Sequence, residues 1–413
     1  MTHSDDDSPP LWQFVPLDQY TRPPEPAEEK MRRGLRGLRK LLKRPRNRMH
    51  DAVDKESLQM MGGEDLGWIA PAPQWNYGIP ALDECLQNWL KHSGGTCPLK
   101  VLVAPPHSGI RQMVEGWAAV KGWRIIEPPH SGDILTPKKD LLRDVHAFGE
   151  VPIVISRLEK WYLRHHNGLE VMRRLLEHLT SRQQLTLLCC DSWAWAYLKK
   201  TVRVDLAFSS PITLGAFDEK RLSRWFASLA QVKDARHFVF RHPESEKVVL
   251  DTSPTDAEGE EDERSDFLSR VAAHSRGNPG VAHTLWRHSL RLWLKEKETP
   301  QEDGGKTSRE QENSGSRTLW VIPWQLIDLP EVPHVDDNRF IFLLHTLILH
   351  NGLPTDLLPH LIHFLSHPLA EGLQVLQASG LVRHGQGTWE VTPLGYSVVR
   401  RFLLEEEYLV DDF

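Results

Sequence analysis

Pro98-Leu99-Lys100-Val101-Leu102-Val103-Ala104-Pro105-Pro106-His107-Ser108-Gly109-Ile110-Arg111-Gln112 carries an apolar strand into a loop that opens a helix over residues 111–121. This is the local layout of a phosphate-binding loop. In such a loop glycine backbone N–H groups close around the phosphates, a Lys reaches the terminal phosphates and a Ser or Thr hydroxyl holds Mg²⁺. Laying G-x-x-x-x-G-K-[ST] on the stretch puts Ala104 at the first glycine, Gly109 at the second, Ile110 at the lysine and Arg111 at the hydroxyl. The scaffold is kept while the chemistry is replaced. His107 and Ser108 fill the body of the loop, and Arg111 supplies a positive charge immediately after it.

Outward from the loop, apolar strands at 99–104, 123–126, 151–156 and 185–190 alternate with helical spacing at 81–91, 111–121 and 169–181. A further apolar segment at 205–208 leads into 212–214. Strands alternating with helices specify a parallel α/β sheet. Residues 216–294 read as mainly helical, with an acidic insert at 256–263 and a helix break at Gly277-Asn278-Pro279-Gly280. Residues 295–335 begin as a polar, low-complexity linker. Helices at 340–350, 355–364 and 368–379 follow, then a hairpin over 381–391 with a glycine turn, then a closing helix at 393–404. Three helices and a two-stranded wing make a domain of ordinary small size.

A chain of 413 residues accommodates two or three domains with real cores. A net charge of -6 argues against a generic nucleic-acid binder. The longest apolar runs, such as 340–344, fall far short of the ~20 residues that cross a bilayer. Met1-Thr2-His3-Ser4-Asp5-Asp6-Asp7 is unlike a signal peptide, so the expected location is cytoplasmic, with any membrane association confined to the surface. Cys85, Cys97, Cys189 and Cys190 have no C-x-x-C spacing and read as reduced packing residues. The many tryptophans fall mostly in helical stretches, where packing explains them.

Residues 1–60 are expected to be a disordered arm, rich in Asp, Pro and Glu over 1–29. It carries a basic amphipathic helix at 30–48. Met31, Leu35, Leu38, Leu41 and Leu42 fall on one face; Arg32, Arg36, Arg39, Lys40 and Lys43 lie opposite, with no acidic residue among them. Such a helix can lie on an anionic membrane or dock on an acidic partner, or pack its Leu face on the protein's own body. Gly34 and Gly37 weaken it in isolation.

In this order of elements, over roughly residues 75–404, the chain resembles AAA+ modules of the STAND or origin-recognition type. The resemblance rests on the order, on the loop remnant at 104–111, and on Gly277-Asn278-Pro279, which is similar to the G-x-P lid motif of STAND ATPases. It implies a P-loop NTPase-like parallel sheet core at 75–215, a helical lid at 216–294, a linker at 295–335 and a C-terminal winged-helix domain at 336–404. It also implies an acidic Walker B residue and a polar sensor strand. Ser156 stands where the acid belongs, Arg157 follows it, and Glu159 lies three residues beyond. The sensor candidate over 187–192 ends in Asp191 and Ser192.

Phosphoryl transfer relies on positioning and on charge neutralisation by Lys and Mg²⁺. With the Lys, the hydroxyl and the acid all replaced, the expectation is a pseudo-ATPase acting as a regulatory scaffold through an unknown protein partner, with no cofactor. Ala104, His107, Ser108, Gly109, Ile110, Arg111, Glu159 and Asp191 would be its vestigial nucleotide site. The alternative is a switch ATPase that holds ATP or ADP through Arg111 and the helix N-terminus, with Glu159 or Asp191 toward a metal. A third reading is a winged-helix DNA-binding regulator. Its reading helix would be 368–379, which carries Glu371 and no cation, while Arg383, His384, Arg400 and Arg401 offer thin phosphate neutralisation. A protein or intramolecular contact fits that helix better, although the basic arm could itself retain duplex DNA.

His360, His363 and His367, with His345 and His350 nearby, would form a metal site only if they converged with a carboxylate or Cys; no metal is expected. His165 and His166 either line the cleft of the α/β sheet or belong to an exposed loop.

Overall fold

The computed structural model describes residues 10–25, 58–92, 98–136, 141–147, 151–208, 210–230, 237–252, 265–293, 316–333, 339–362 and 369–413. The basic stretch 30–48 and the acidic insert 256–263 lie outside the described residues. Along the chain come β1 (Phe14–Pro16), β2 (Leu58–Met60), α1 (Gly63–Ile69), α2 (Ile79–His92), β3 (Leu99–Ala104) and α3 (Ile110–Lys121). Next are β4 (Arg124–Ile125), α4 (Ser131–Leu135), α5 (Arg143–Ala147), β5 (Ile153–Ile155), α6 (Glu170–Ser181), β6 (Thr186–Asp191), α7 (Ser192–Thr201), α8 (Val204–Ala207) and β7 (Ile212–Leu214). The middle of the chain holds α9 (Glu219–Leu229), β8 (His237–Arg241), β9 (Val248–Asp251), α10 (Phe267–Ser275), α11 (Pro279–Ser289), β10 (Leu290–Trp293) and β11 (Ser316–Val321). The chain closes with α12 (Arg339–Leu349), β12 (Leu353–Pro354), α13 (Leu358–Leu361), α14 (Leu369–Ala378), β13 (Val382–Gly385), β14 (Thr388–Val391) and α15 (Pro393–Glu405).

These elements form two compact units. One comprises Met1–Thr21, Gln74–Ala216 and Leu329–Phe413; the other comprises Arg22–Pro73 and Phe217–Asp328. The first contains a six-stranded sheet in the order β1-β7-β3-β6-β5-β4. Five of the strands run parallel and β1 adds antiparallel onto β7, giving a parallel α/β core. Strands β3, β5 and β6 are buried almost throughout, as continuous apolar strands covered on both faces must be. Helix α3 buries Met113, Val114, Trp117 and Ala118, and α6 buries Val171, Met172, Leu175, Leu176 and Leu179, each set a helical stripe. The connection after β3 leads to β4 on one side, whereas the connection after β6 leads to β7 on the other. Neighbouring strands whose connections leave in opposite directions open a crevice at their carboxyl ends.

The C-terminal module of this unit contains α12, α13, α14 and α15 with a three-stranded sheet in the order β12-β14-β13. Helix α12 is buried from Phe340 to Leu349 except at Phe342, which accounts for its unbroken apolar run. Gln386 and Gly387 both take positive φ (51° and 78°), the two-residue turn that matches strand twist between β13 and β14. Strand β12, too short to show a period, escapes sequence reading.

Disorder over 1–60 is corrected for residues 10–25 and 58–60. Buried Trp12, with Phe14 and Val15, anchors β1 among prolines and acids, and Pro16 is tolerated because β1 is an edge strand. Residues 58–60 form β2, paired with β10.

In the second unit Trp286 packs on Phe226 (5.1 Å, nearly parallel), Phe240 (5.0 Å) and Phe267 (6.4 Å). Asn278 accepts from the backbone N–H of Gly280 (3.1 Å) and Val281 (3.4 Å), with Pro279 in the first turn, so Gly277-Asn278-Pro279 stops α10 and caps α11. Helices α9, α10 and α11 fall in the span read as mainly helical, and beside them lies a sheet in the order β2-β10-β11-β8-β9, with 290–293 in strand rather than helix. Its strands, including β11 within the expected linker, do not figure in the sequence reading. They are short, and distant pairing decides them: β11 runs parallel to β8, far back in the chain. Among the described residues, no helix is long and apolar enough to cross a membrane.

Candidate functional site

Strand β3 ends at Ala104, directly opposite Asp191 at the end of β6. Residues 105–109 then turn tightly, Ser108 N–H donating to the Pro105 carbonyl at 3.3 Å, with positive φ at His107 (68°) and Gly109 (80°). The turn places a glycine in the left-handed region at the start of α3. A Cβ on Gly109 would meet Trp75 ring atoms at 2.1, 2.2 and 2.6 Å, so an indole covers this glycine. Trp12 supports that indole edge-on at 6.2 Å and 74°.

Ile110, at the lysine position, is 1% exposed and points into the core. Arg111 points outward and pairs with Glu115 one turn on, at 2.9 Å. The same Glu115 Oε1 accepts from the Ser156 hydroxyl at 2.8 Å, tying the end of β5 to α3. Arg157 is paired with Glu127.

Glu159 lies in a single 3₁₀ turn, Leu158–Lys160, and is 4% exposed. Its Oε2 accepts from the Asp191 backbone N–H at 3.4 Å. Burial pushes the Glu159 carboxyl up, against the pull of Lys160. Burial and then the charge of Glu159 push Asp191 well above the carboxylate range, and Asp191 Oδ2 is buried without a hydrogen-bond partner. Among the described residues, no three His, Cys, Asp or Glu side chains gather as a metal ligand set.

The C-terminal module sits on this crevice. Lys160 Nζ donates to the carbonyls of His350 (2.6 Å), Asn351 (2.9 Å) and Gly352 (2.7 Å). These follow directly on α12, where unpaired carbonyls and the helix dipole present negative charge. Tyr162 Oη donates to the Leu349 carbonyl at 2.8 Å, and Arg164 N–H to His350 Nε2 at 3.2 Å. Arg164 Nη1 lies 3.0 Å from His345 Nδ1. Burial, then neighbouring cations, hold His345 down to about 4 and His350 to about 3, so both rings stay neutral and accept.

On the β6 side, Ser192 Oγ donates to Asp411 Oδ2 and Trp193 Nε1 to Tyr396 Oη (3.0 Å). Tyr396 Oη in turn donates to Asp411 at 3.2 Å. Arg400 closes the network, Nε to Asp411 Oδ1 at 2.9 Å and Nη2 to its carbonyl at 2.8 Å. His107 of the loop meets the Tyr396 ring edge-on at 6.1 Å and 86°, and burial holds its pKa down to about 4.

Of the residues singled out by sequence, Ala104, His107, Ser108, Gly109, Glu159 and Asp191 gather at the crevice. Ile110 and Arg111 diverge from it, one inward and one outward. Arg32, Arg36, Arg39, Lys40 and Lys43 lie outside the described residues, as do His363 and His367. His360 is exposed, His345 and His350 are bonded into the core, and His165 and His166 belong to a turn at the protein surface. Sequence reasoning missed Trp75, Lys160, Tyr162, Arg164, Tyr396 and Asp411. For Lys160 and Asp411 the reason is distance along the chain, 190 residues from Lys160 to His350 and 219 from Ser192 to Asp411.

No family model matches the sequence, and no curated protein matches it. Among solved structures, the chain is similar to the ORC2 protein of Aeropyrum pernix, determined as ADPNP–ADP complexes. The identity is 12% and the TM-score 0.33, over 85% of this chain and 99% of that one. It is similar to Cdc6p from Pyrobaculum aerophilum at 13% identity and TM-score 0.30, over 82% and 95%. A Walker-type ATPase of Pyrococcus abyssi aligns at 12% identity and TM-score 0.31, over 77% and 95%.

Proposed function

We propose that the protein is an AAA+/STAND-like pseudo-ATPase that works as a regulatory scaffold through protein contacts. The observation that carries this reading is the filling of the crevice at the ends of β3 and β6. Trp75 covers Gly109, and the C-terminal module is bonded to Lys160, Tyr162, Arg164, Ser192 and Trp193. Where a nucleotide would need a Lys, a hydroxyl and an acid, the chain offers a buried Ile110, an Arg111 paired to Glu115, and a Ser156 bonded to the same Glu115.

In this reading the winged helix serves the protein itself and its partners. The exposed residues of α14 are Ala370, Glu371, Gln374, Val375, Gln377 and Ala378, a face without a cation for phosphate and better suited to a protein than to DNA. The basic stretch with Arg32, Arg36, Arg39, Lys40 and Lys43 would hold the scaffold to an anionic membrane or acidic surface.

Thermal unfolding with millimolar Mg·ATP tests the first part, since a ligand at a hundredfold its Kd adds about 2.7 kcal/mol to the native state. The expected shift is nil. A saturable rise that Arg111→Ala removes would favour the nucleotide-switch alternative. Deleting residues 30–48 is expected to move the protein from the bound to the free fraction in sedimentation with anionic vesicles; unchanged partition refutes the tether.

A further inference from the structure

Residues 12–20 run across three features, the β7 edge, the covered loop and the C-terminal tail, of which the loop and the tail also meet where His107 packs on Tyr396. Their middle, β1, pairs with β7 in the register Phe14↔Leu214, Val15↔Thr213 and Pro16↔Ile212. The pairing is extended by Gly215 N–H to the Gln13 carbonyl (2.8 Å) and Leu17 N–H to the Pro211 carbonyl (2.9 Å). At one end Trp12, 8% exposed, braces Trp75, the indole that covers Gly109 in the loop. At the other, Tyr20 packs on Phe413 at 4.7 Å. Phe413 is itself buried and lies two residues beyond Asp411, the hub of the network joining Ser192, Tyr396 and Arg400.

We propose that residues 12–20 are a strap that couples the covered loop to the docked C-terminal tail, so that both ends loosen in one opening event. The energetic grounds are asymmetric. A three-residue strand on a sheet edge, with Gln13, Pro16, Asp18 and Gln19 exposed, has little holding it at its centre and belongs to the least stable class of local units. Its terminal aromatics are the opposite, packed on residues that matter to two different closures. Loss of either aromatic contact therefore raises the chance that the whole strap lifts, and lifting removes the brace from Trp75 and the cover from Phe413 at once. An outside segment that competed for the β7 edge would reach both closures by the same route.

This inference rests on the closed arrangement of loop and module described above, and not on whether nucleotide is refused. Its test accordingly reads backbone opening and contains no nucleotide. Hydrogen exchange by mass spectrometry on the full chain compares wild type with Tyr20→Ala and, separately, Trp12→Ala. Tyr20 is partly exposed, so its replacement leaves the fold standing even if the Trp12 variant does not. The expected result is faster exchange at both 107–112 and 408–413 in either variant, by about two- to tenfold, the worth of one aromatic contact. Exchange in α6, remote from the strap, stays unchanged. Acceleration confined to 408–413 in Tyr20→Ala, acceleration at neither site, or acceleration throughout α6 overturns the strap.

Discussion

Replacing Lys160 with Met keeps the aliphatic stem and removes the charge that binds the end of α12. Three carbonyls, of His350, Asn351 and Gly352, lose their donor at once. Their bonds share one cation and do not add; a hydrogen bond to a charged group is worth about 1.5–3 kcal/mol net, and a cation at a helix C-terminus up to about 2 kcal/mol more. Working against this, burial disfavours the ammonium and holds its pKa down, with Glu159 and then Asp191 pulling it back up. Losing the charge recovers part of that desolvation, so the net cost is about 2–4 kcal/mol, or roughly 30- to 900-fold in the closed-to-open ratio. Hydrogen exchange at 350–353 should accelerate by that factor while the strands of the core sheet hold, and urea unfolding should shift to lower midpoint. Lys160→Arg should recover only part, because a planar fork cannot aim at three carbonyls as an ammonium does. A cost below about 0.5 kcal/mol, the level of an exposed ion pair, with unchanged exchange at 350–353, would refute the claim that this cation fastens the module.

Three further outcomes follow from the same geometry. Gly109→Ala should destabilise by about 2–4 kcal/mol, from positive φ and collision with Trp75, and Trp75→Ala in the same chain should relieve part of it; additive losses on urea unfolding would count against the contact. Asp411→Ala leaves Arg400 buried without its carboxylate and should cost about 3–5 kcal/mol by the same assay, a loss under 1 kcal/mol showing that the network is incidental. His345, held down to about 4, binds its proton only in the unfolded chain between about pH 6.5 and 4, so stability is lost as pH falls through that window, by up to about 1.4 kcal/mol per pH unit. Glu159 and Asp191, pushed up, act in the opposite sense at low pH, so the reading is a difference: the slope for His345→Asn should be shallower by about one proton, and equal slopes would refute it.

The core sheet was legible because β3, β5 and β6 are apolar runs bounded by turn residues, and a parallel strand announces itself in that way. The break at Gly277-Asn278-Pro279 was legible for a local reason: capping and the proline restriction operate within a few residues. What escaped depends on distance along the chain. Nothing near Lys160 names the carbonyls of 350–352 as its acceptors, and nothing near Ser192 names Asp411. Strands β8, β10 and β11 lie within a span of helical spacing or a polar linker, and pairing with remote partners, as of β11 with β8, settles them. Residues 10–25 read as disordered because the prolines and acids of the whole stretch 1–29 set the average, while Trp12 and the β1 anchors decide the outcome singly.

The most direct measurement is a calorimetric titration of the full chain with ATP, with and without Mg²⁺. A crevice filled by Trp75 and the C-terminal module predicts no saturable heat up to millimolar nucleotide. Saturable binding at micromolar ATP, abolished by Arg111→Ala, would contradict the account and return the loop to service as a nucleotide site.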